Sequence, residues 1–175
     1  MVEEIAGNGS SEELFSLLYQ ELRHLAHSRL RKNEPITLLD TTSLVHETYL
    51  RIVRAGRMDI AERPKFLAYS AHVMRSIVVD FVRQHRAECR GGDQERVSLD
   101  PEAAVPVNSP EDEILRVSEA LDQLAKSDER LVKVVEMRYF TGLADEEIAE
   151  ALGVNERTVR RDWQKARLLL SLALQ

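Results

Sequence analysis

The amino-acid sequence predicts an all-α protein in which two small helical domains are joined by an acidic linker and the C-terminal domain is a helix-turn-helix. Apolar residues recur at helical spacing along most of the 175-residue chain, while proline and glycine are scarce inside the periodic segments. Residues 93–109 instead are acidic, show no period and hold two prolines. We therefore expect an N-terminal domain over residues 1–92, a linker over 93–109 and a C-terminal domain over 110–175.

Three helices are predicted in the N-terminal domain. The first carries leucines along one side from Leu14 to Leu30. The second runs from about Thr42 to Ala55 and stops at Gly56, and the third runs from about Pro64 to Ala87, ahead of the Gly91-Gly92 pair. About four more helices are expected in the C-terminal domain.

Charge is distributed unevenly along the chain. The net charge of −6 argues at first against a nucleic-acid partner, because phosphate contacts need lysine and arginine. Residues 93–122 alone hold nine acidic residues against two arginines, a net −7 that exceeds the excess of the whole chain. Two other segments are locally basic, so the charge pattern is compatible with nucleic-acid binding.

The composition and the single cysteine exclude several classes of protein. Hydrophobic residues at 43% and charged residues at 31% are typical of a globular protein in water, and no run approaches the roughly 18 apolar residues of a membrane span. The N-terminal residues lack the basic start and apolar stretch of a signal peptide. Cys89 alone allows neither an internal disulfide nor a cysteine-based zinc site. We therefore expect a cytoplasmic protein with no membrane partner.

No catalytic or metal-binding pattern is found. His24 and His27 lie three residues apart on the first predicted helix, but no third ligand follows at a matching spacing. Phosphate-cradling glycine loops, nucleophile elbows and paired catalytic carboxylates are also missing from the sequence. The sequence therefore predicts no enzyme, no metal and no cofactor.

The most specific pattern is a helix-turn-helix over residues 145–164. Such a motif needs a small residue where its two helices cross and a residue tolerant of positive φ four positions later; Ala149 and Gly153 meet these needs. Asn155 is suited to cap the second helix. The apolar anchors that would fix the crossing are Ile148, Leu152, Val154 and Val159.

The second helix of this motif has an apolar and a basic side. The stripe Val159, Trp163, Ala166 and Leu170 is expected to pack inward. The predicted DNA-binding residues on the other side are Arg157, Thr158, Arg160, Arg161, Gln164 and Lys165, with Arg167 flanking. Arginine and glutamine pair bidentately with guanine and adenine in the major groove. The alternative is that these arginines form an ordinary solvated face.

Three segments, in order, resemble the extracytoplasmic-function (ECF) sigma factors, the specificity subunits of bacterial RNA polymerase. Residues 124–142, LAKSDERLVKVVEMRYFTG, resemble the run that opens the C-terminal domain of these proteins. Residues 44–51, LVHETYLR, and 66–83, FLAYSAHVMRSIVVDFVR, resemble two helices of their N-terminal domain. The matches together cover about residues 12–92 and 110–172. The form of the motifs is most similar to a subgroup often encoded beside serine/threonine kinases.

The resemblance implies two binding surfaces in the N-terminal domain. The second predicted helix, around Leu44, would dock on the coiled-coil clamp of the polymerase β′ subunit. The polymerase-binding residues are Asp40, Leu44, Val45, Glu47, Thr48, Leu50 and Arg51. The next helix would meet the minus-ten promoter element with Arg75, Arg83, Arg86 and Arg90. His85 and Phe81 are candidate platforms for an unstacked base, and Phe81 is equally suited to the core. The helix-turn-helix would read the minus-thirty-five element.

One departure from the family pattern suggests regulation. Relatives carry the acids DAED before the clamp-docking helix, whereas this chain has Asp40, Thr41, Thr42 and Ser43. Phosphate adds about −1.5 to −2 charge and three acceptor oxygens. The hypothesis is that a serine/threonine kinase activates the factor at Thr41, Thr42 or Ser43, with Thr42 preferred. In the alternative reading these hydroxyls are ordinary helix caps. Control by an anti-sigma protein is also open.

Two other functions compete with a sigma subunit. A stand-alone helix-turn-helix regulator would bind an operator as a dimer, but it leaves residues 44–51 and 66–83 without a role. A nucleic-acid-processing enzyme would need a catalytic site that the sequence does not contain. The sequence therefore favours a sigma factor that binds polymerase core and promoter DNA.

Overall fold

The computed structural model describes Tyr19 and residues 41–56, 63–91 and 109–175. Helices and turns, without strands, make up these described segments. In chain order the helices are α1 (Thr41–Arg54), α2 (Arg63–Gly91), α3 (Pro110–Ser127), α4 (Glu129–Glu136), α5 (Asp145–Leu152) and α6 (Glu156–Ala173), with a π-helical turn, Met137–Thr141, after α4. The all-α prediction is confirmed. The predicted leucine-rich first helix and almost all of the predicted linker lie outside the described residues.

Helices α1 and α2 are the second and third helices predicted from the sequence. α1 begins and ends within one residue of its predicted bounds, and Gly56 follows it with φ 63°. α2 has 29 residues and continues to Gly91, four beyond the predicted end at Ala87. Buried Leu44 and Val45 of α1 pack in one core cluster with Leu67 of α2. The end of α1 was predictable because Gly56 adopts the positive φ that ends a helix.

Helix α3 begins with a complete capping box. The Ser109 hydroxyl accepts a hydrogen bond from the Asp112 N–H (3.2 Å), and the Asp112 carboxylate accepts one from the Ser109 N–H (3.1 Å). Pro110 occupies the first turn, where its missing N–H costs nothing. This cap stabilises the start of α3 by about 1 kcal/mol, and it places the C-terminal helices directly after the predicted linker.

A π-helical turn separates α4 from α5. The Thr141 hydroxyl donates a hydrogen bond to the Met137 carbonyl (2.7 Å), and Gly142 ends the turn with φ 61°. The wider turn accommodates an extra residue, as single π-turns do in other helices. It brings buried Met137 and Leu143 into the same core cluster as α2.

The main core is shared between α1–α2 and the C-terminal helices. Val134, Met137, Ile148 and Val159 belong to the same buried cluster as Met74 of α2. A second cluster, formed by α3, α4 and α6, contains Leu121, Leu124, Leu131, Val132 and Ala166. Helix α2 therefore packs against α1 and also against the C-terminal helices. The division into domains at residues 92 and 110 stays a prediction.

Candidate nucleic-acid and polymerase interface

The connection from α5 to α6 is a tight turn at the place where the sequence predicts a helix-turn-helix. Gly153 adopts the left-handed conformation with φ 65°, and the Val154 N–H donates to the Ala149 carbonyl (2.9 Å). Ile148 and Val159 are fully buried and Ala149 is 6% exposed, so the small residue lies where the helices meet. The positive φ at Gly153 confirms the reason for glycine at this position.

Asn155 caps helix α6, as predicted. Its side-chain oxygen accepts hydrogen bonds from the Thr158 N–H (2.8 Å) and the Thr158 hydroxyl (3.1 Å). Thr158, a predicted DNA-binding residue, is half-buried and its hydroxyl donates to this cap. The remaining first-turn N–H groups give the start of α6 the positive potential that attracts phosphate.

The predicted DNA-reading side of α6 is exposed. Arg157, Arg160, Arg161, Gln164 and Lys165 all lie on the surface, and Arg161 is the most open of the ion-paired arginines, with 71% of its side chain exposed. Arg160 forms ion pairs with Glu156 (2.5 Å) and Asp145 (3.4 Å). Exposed pairs of this kind contribute about 0–1 kcal/mol, so phosphate can displace the carboxylates at little cost.

Buried polar contacts fix the orientation of this side of α6. The Asp162 carboxylate, 3% exposed, accepts a hydrogen bond from Arg130 Nε of α4 (2.6 Å), and this bond raises the pKa of Arg130. Trp163 is half-buried against the main core, with the Arg138 guanidinium 4.7 Å from its ring. The inward packing predicted for Trp163 is confirmed. Burial lowers the pKa of the neighbouring Arg138.

The predicted polymerase-binding residues of α1 divide into buried and accessible groups. Leu44, Val45 and Thr48 are buried, and the Thr48 hydroxyl donates to the Leu44 carbonyl (2.7 Å). The half-buried members are Glu47, Leu50 and Arg51. Arg51 donates hydrogen bonds to Asp80 of α2 (2.9 Å) and to Glu47 (3.2 Å), and the bond to Asp80 raises the pKa of Arg51. Three residues of the predicted surface therefore hold α1 in the core.

The start of α1 carries the candidate phosphorylation residues. Thr41 is its first residue, while Thr42 and Ser43 have exposed side chains. The first turn of α1 has no acidic residue. Asp40 lies outside the described residues, and the side chain of Thr41 is not described. Added negative charge at this helix N-terminus would interact favourably with the helix dipole.

The four arginines predicted to meet the minus-ten element do not share one environment. Arg83 is exposed, and Arg90 lies on α2 but its side chain is not described. Arg86 forms an ion pair with Asp112 of α3. Arg75 is 11% exposed and binds Glu136 (3.0 Å). Two of the four therefore contact the C-terminal helices, which the sequence did not predict.

The two candidate base platforms are also engaged. Phe81 is half-buried against the main core, and its ring stacks on His85 with centroids 6.4 Å apart. His85 Nδ1 lies 3.0 Å from a carboxylate oxygen of Glu111 in α3. The packing of Phe81 agrees with its alternative role as a core residue.

Sequence reasoning did not single out Glu136, Glu147 or His72. Glu136 is 3% exposed and bonds both Arg75 and His72. The Glu147 carboxylate accepts hydrogen bonds from Arg63 and from the Ala144 N–H. Burial alone would raise the pKa of Glu147, but these two bonds outweigh burial, and the net effect is a lowered pKa. The one usable signal was an acid inside the apolar run of residues 134–137, since a buried carboxylate requires a partner.

Neither a cluster of metal ligands nor a membrane-spanning helix is found within the described segments. They hold no group of three or more His, Cys, Asp or Glu residues that could bind a metal ion. Among their helices, none combines the length and the apolar character needed to cross a membrane.

The capped α6 helix and its exposed arginines, on an all-helical scaffold, are the features of a DNA-binding protein. In a comparison with protein families, the model of the ECF sigma factors matches residues 5–175 of this chain. The chain belongs to the ECF sigma factor family. It is thus a sigma factor, which binds RNA polymerase and DNA to direct transcription initiation, in a family of non-enzymatic transcription factors. No curated protein and no solved structure gives a significant match.

Proposed function

We propose that α6 reads the minus-thirty-five promoter element as duplex DNA through Arg157, Arg160, Arg161 and Gln164. The observation that carries this assignment is the exposed basic side of a helix whose first turn is capped by Asn155 and whose opposite side is buried. Arginine pairs to guanine discriminate against a wrong base by about 1–3 kcal/mol each. Lys165 contributes a phosphate contact, which affects all sequences alike.

Run-off transcription with purified polymerase core tests this role. Arg161→Ala should reduce output from a cognate promoter about tenfold or more and weaken discrimination against a mutated minus-thirty-five element. Lys133→Ala is the matched control, because Lys133 is an exposed cation of α4 paired with Glu129 (2.9 Å) and lies outside the α6 face. Equal output and equal discrimination for both variants would contradict the assignment.

The polymerase clamp, in this proposal, contacts the accessible residues of α1. Glu47, Leu50 and Arg51 supply the contact, while Leu44, Val45 and Thr48 keep the helix in place from the core. Glu47→Lys reverses one charge on a half-buried side chain and should weaken capture of polymerase core in a binding assay. Glu129→Lys, an exposed reversal on α4, is the control. Binding to the polymerase implies that the protein acts in the cytoplasm, where the polymerase is found.

Helix α2 would contact the minus-ten element, with Arg83 presented at its surface and Arg75, Arg86 and Arg90 as further cations. Each phosphate contact makes binding more dependent on salt. Arg83→Ala should therefore lower affinity for a single-stranded minus-ten oligonucleotide and reduce the slope of log affinity against log salt by about 0.7. An unchanged slope would remove Arg83 from the interface.

The clamp contact is, we further propose, strengthened by phosphorylation of Thr41, Thr42 or Ser43. Exposure of Thr42 and Ser43 and the missing acids in the first turn of α1 support this switch. A phosphate at a helix N-terminus gains from the helix dipole and pairs strongly with arginine. The kinase-associated subgroup and a serine/threonine kinase as partner belong to the same proposal; an anti-sigma protein is the competing form of control.

Binding to polymerase core separates the two forms of control. Kinase-treated protein and Thr42→Glu should bind core more tightly than untreated protein and Thr42→Ala. Ser127→Glu, which adds the same charge at an exposed residue in the last turn of α3, controls for net charge. The switch is contradicted when treated, untreated and both Thr42 proteins bind core with equal affinity.

A further inference from the structure

An acidic residue lies in the buried stripe of helix α6. The buried residues of α6 are Val159, Asp162 and Ala166, which recur at helical spacing. Val159 and Ala166 each belong to an apolar cluster, whereas Asp162 brings a carboxylate that is only 2% exposed. The stripe predicted from the sequence has Trp163 at this turn and does not include Asp162. A buried carboxylate costs free energy unless it is paired, so the partners of Asp162 indicate its role.

The two carboxylate oxygens of Asp162 face two arginines from different helices. Oδ2 accepts a hydrogen bond from Arg130 Nε of α4 (2.6 Å), and Oδ1 lies 3.6 Å from Nε of the adjacent Arg161. The bond from Arg130 is charge-assisted, so it fixes the carboxylate against α4. The other oxygen is thereby held beside Arg161, whose side chain is 71% exposed on the predicted DNA-reading side.

Asp162 approaches Arg161 at Nε and leaves the far end of the guanidinium open. Within the described segments, neither Nη atom of Arg161 forms a hydrogen bond. This terminal fork of donors is therefore available for a bidentate pair with guanine. Ordering a long side chain on binding costs about two- to tenfold in affinity, and a side chain that is already ordered avoids part of this cost. A carboxylate at Nε can order Arg161 without occupying the donors that read a base.

Stability alone does not account for a charge at this position. Replacing a buried ion pair with apolar side chains is often neutral or stabilising, and Arg130 is 42% exposed, so water can hydrate it without Asp162. The other acids that pair with an α6 arginine, Asp145 and Glu156 beside Arg160, are 24% and 47% exposed. Among these three acids, Asp162 is the one that water screens least.

We propose that Asp162 is a positioning residue for promoter recognition, which holds Arg161 in the orientation that reads one base pair of the minus-thirty-five element. The inference rests on the proposed role of α6. It deepens that role by assigning part of the sequence selectivity to a buried side chain, with Arg130 as the anchor of its carboxylate. Loss of Asp162 should therefore relax the base preference at the position read by Arg161 and leave the preferences at other positions unchanged.

Transcription from a promoter library tests this role. Polymerase core with the full-length chain transcribes a cognate promoter whose minus-thirty-five element is randomised, and transcripts are counted for each sequence. Arg161→Ala first identifies the base pair that Arg161 reads. Asp162→Asn removes the charge and leaves one acceptor oxygen for two arginines, so it should lower the preference at that same base pair about two- to tenfold. Preferences at the other base pairs should match those of the parent.

Two further variants separate positioning from folding and from net charge. Asp162→Val keeps the stripe filled with an apolar side chain and should relax the same base pair, while urea denaturation shows whether each variant is folded. Glu129→Gln removes the same charge from an exposed residue of α4 and should change no preference.

The proposal is overturned when Asp162→Asn and Asp162→Val keep the parent's preference at the base pair read by Arg161. It is equally overturned when their loss of preference spreads over the whole element, because that pattern indicates a general disturbance of α6. Failure of the proposed role of α6 has a different signature: the parent itself would then show no base preference in the minus-thirty-five element that Arg161→Ala relaxes.

Discussion

The two arginine-bearing helices, α2 and α6, differ in what covers their charge. On α6 the arginines are exposed and pair with acids close by, such as Arg160 with Glu156 one turn earlier. On α2, Arg75 and Arg86 pair with acids of α3 and α4, far along the chain. The basic side of α6 is therefore open to solvent, while two of the four α2 arginines, Arg75 and Arg86, are occupied by acids.

The difference has a physical basis in the cost of breaking each set of pairs. Exposed pairs one turn apart contribute about 0.3–0.5 kcal/mol, and phosphate displaces them easily. A pair in which both charges are buried leaves the second charge uncompensated when the first is removed. If both helices bind DNA as proposed, phosphate should displace the exposed acids beside Arg160 at less cost than the buried acid beside Arg75.

The largest effect is expected from Glu136→Ala. Arg75 would lose its buried counter-charge but would still donate to Asp122 and to the Ser118 carbonyl, so the free energy of unfolding should fall by about 2–3 kcal/mol. Urea denaturation followed by circular dichroism measures this change. Glu129→Ala is the control, since 71% of the Glu129 side chain is exposed and its loss should cost under about 0.5 kcal/mol. A loss below about 1 kcal/mol for Glu136→Ala would mean that Arg75 reaches solvent and that its pair with Glu136 is not buried.

The same comparison explains which parts of the molecule were predictable. The turn between α5 and α6 follows from residues a few positions apart: Ala149 for the crossing, Gly153 for positive φ and Asn155 for the cap. Short-range geometry of this kind is encoded locally. The capping box at Ser109 is equally local. Its Ser-Pro-Glu-Asp pattern could have predicted the cap at the start of α3.

The partners of α2 could not be predicted in this way. Arg75 meets Asp122 and Glu136 at sequence separations of 47 and 61 residues, so no helical period links them. Periodicity shows that a side of a helix is basic, but it does not show what packs against that side. The burial of Leu44, Val45 and Thr48 could not be predicted either. A family motif does not separate residues that contact a partner from those that support the helix.

A matched pair of glycines gives the next largest effect. Gly56 after α1 has φ 63° and Gly153 between α5 and α6 has φ 65°, and a Cβ at either position would meet no atom within 4 Å. Alanine at each should therefore cost about 1–2 kcal/mol, from backbone strain alone. Only Gly153→Ala should also weaken duplex promoter binding in a fluorescence-anisotropy assay, because Gly153 sets the angle of α6. Equal DNA affinity for both variants would separate the turn from recognition.

The smallest effect is expected from His72, which pairs with Glu136. The hydrogen bond between His72 Nδ1 and the Glu136 carboxylate raises the pKa of His72 above its usual value of 6.5, and burial and the charges of Arg75 and Lys133 oppose this shift. A raised pKa means that protonated His72 stabilises the folded protein. This contribution is complete below pH 6.5 and is lost as the pH rises through the raised pKa. His72→Gln should remove that part of the pH dependence, whereas His46→Gln, on the exposed side of α1, should leave it unchanged. NMR titration of the His72 ring reports its pKa directly, and a value at or below 6.5 would show that Glu136 does not hold this side chain in solution.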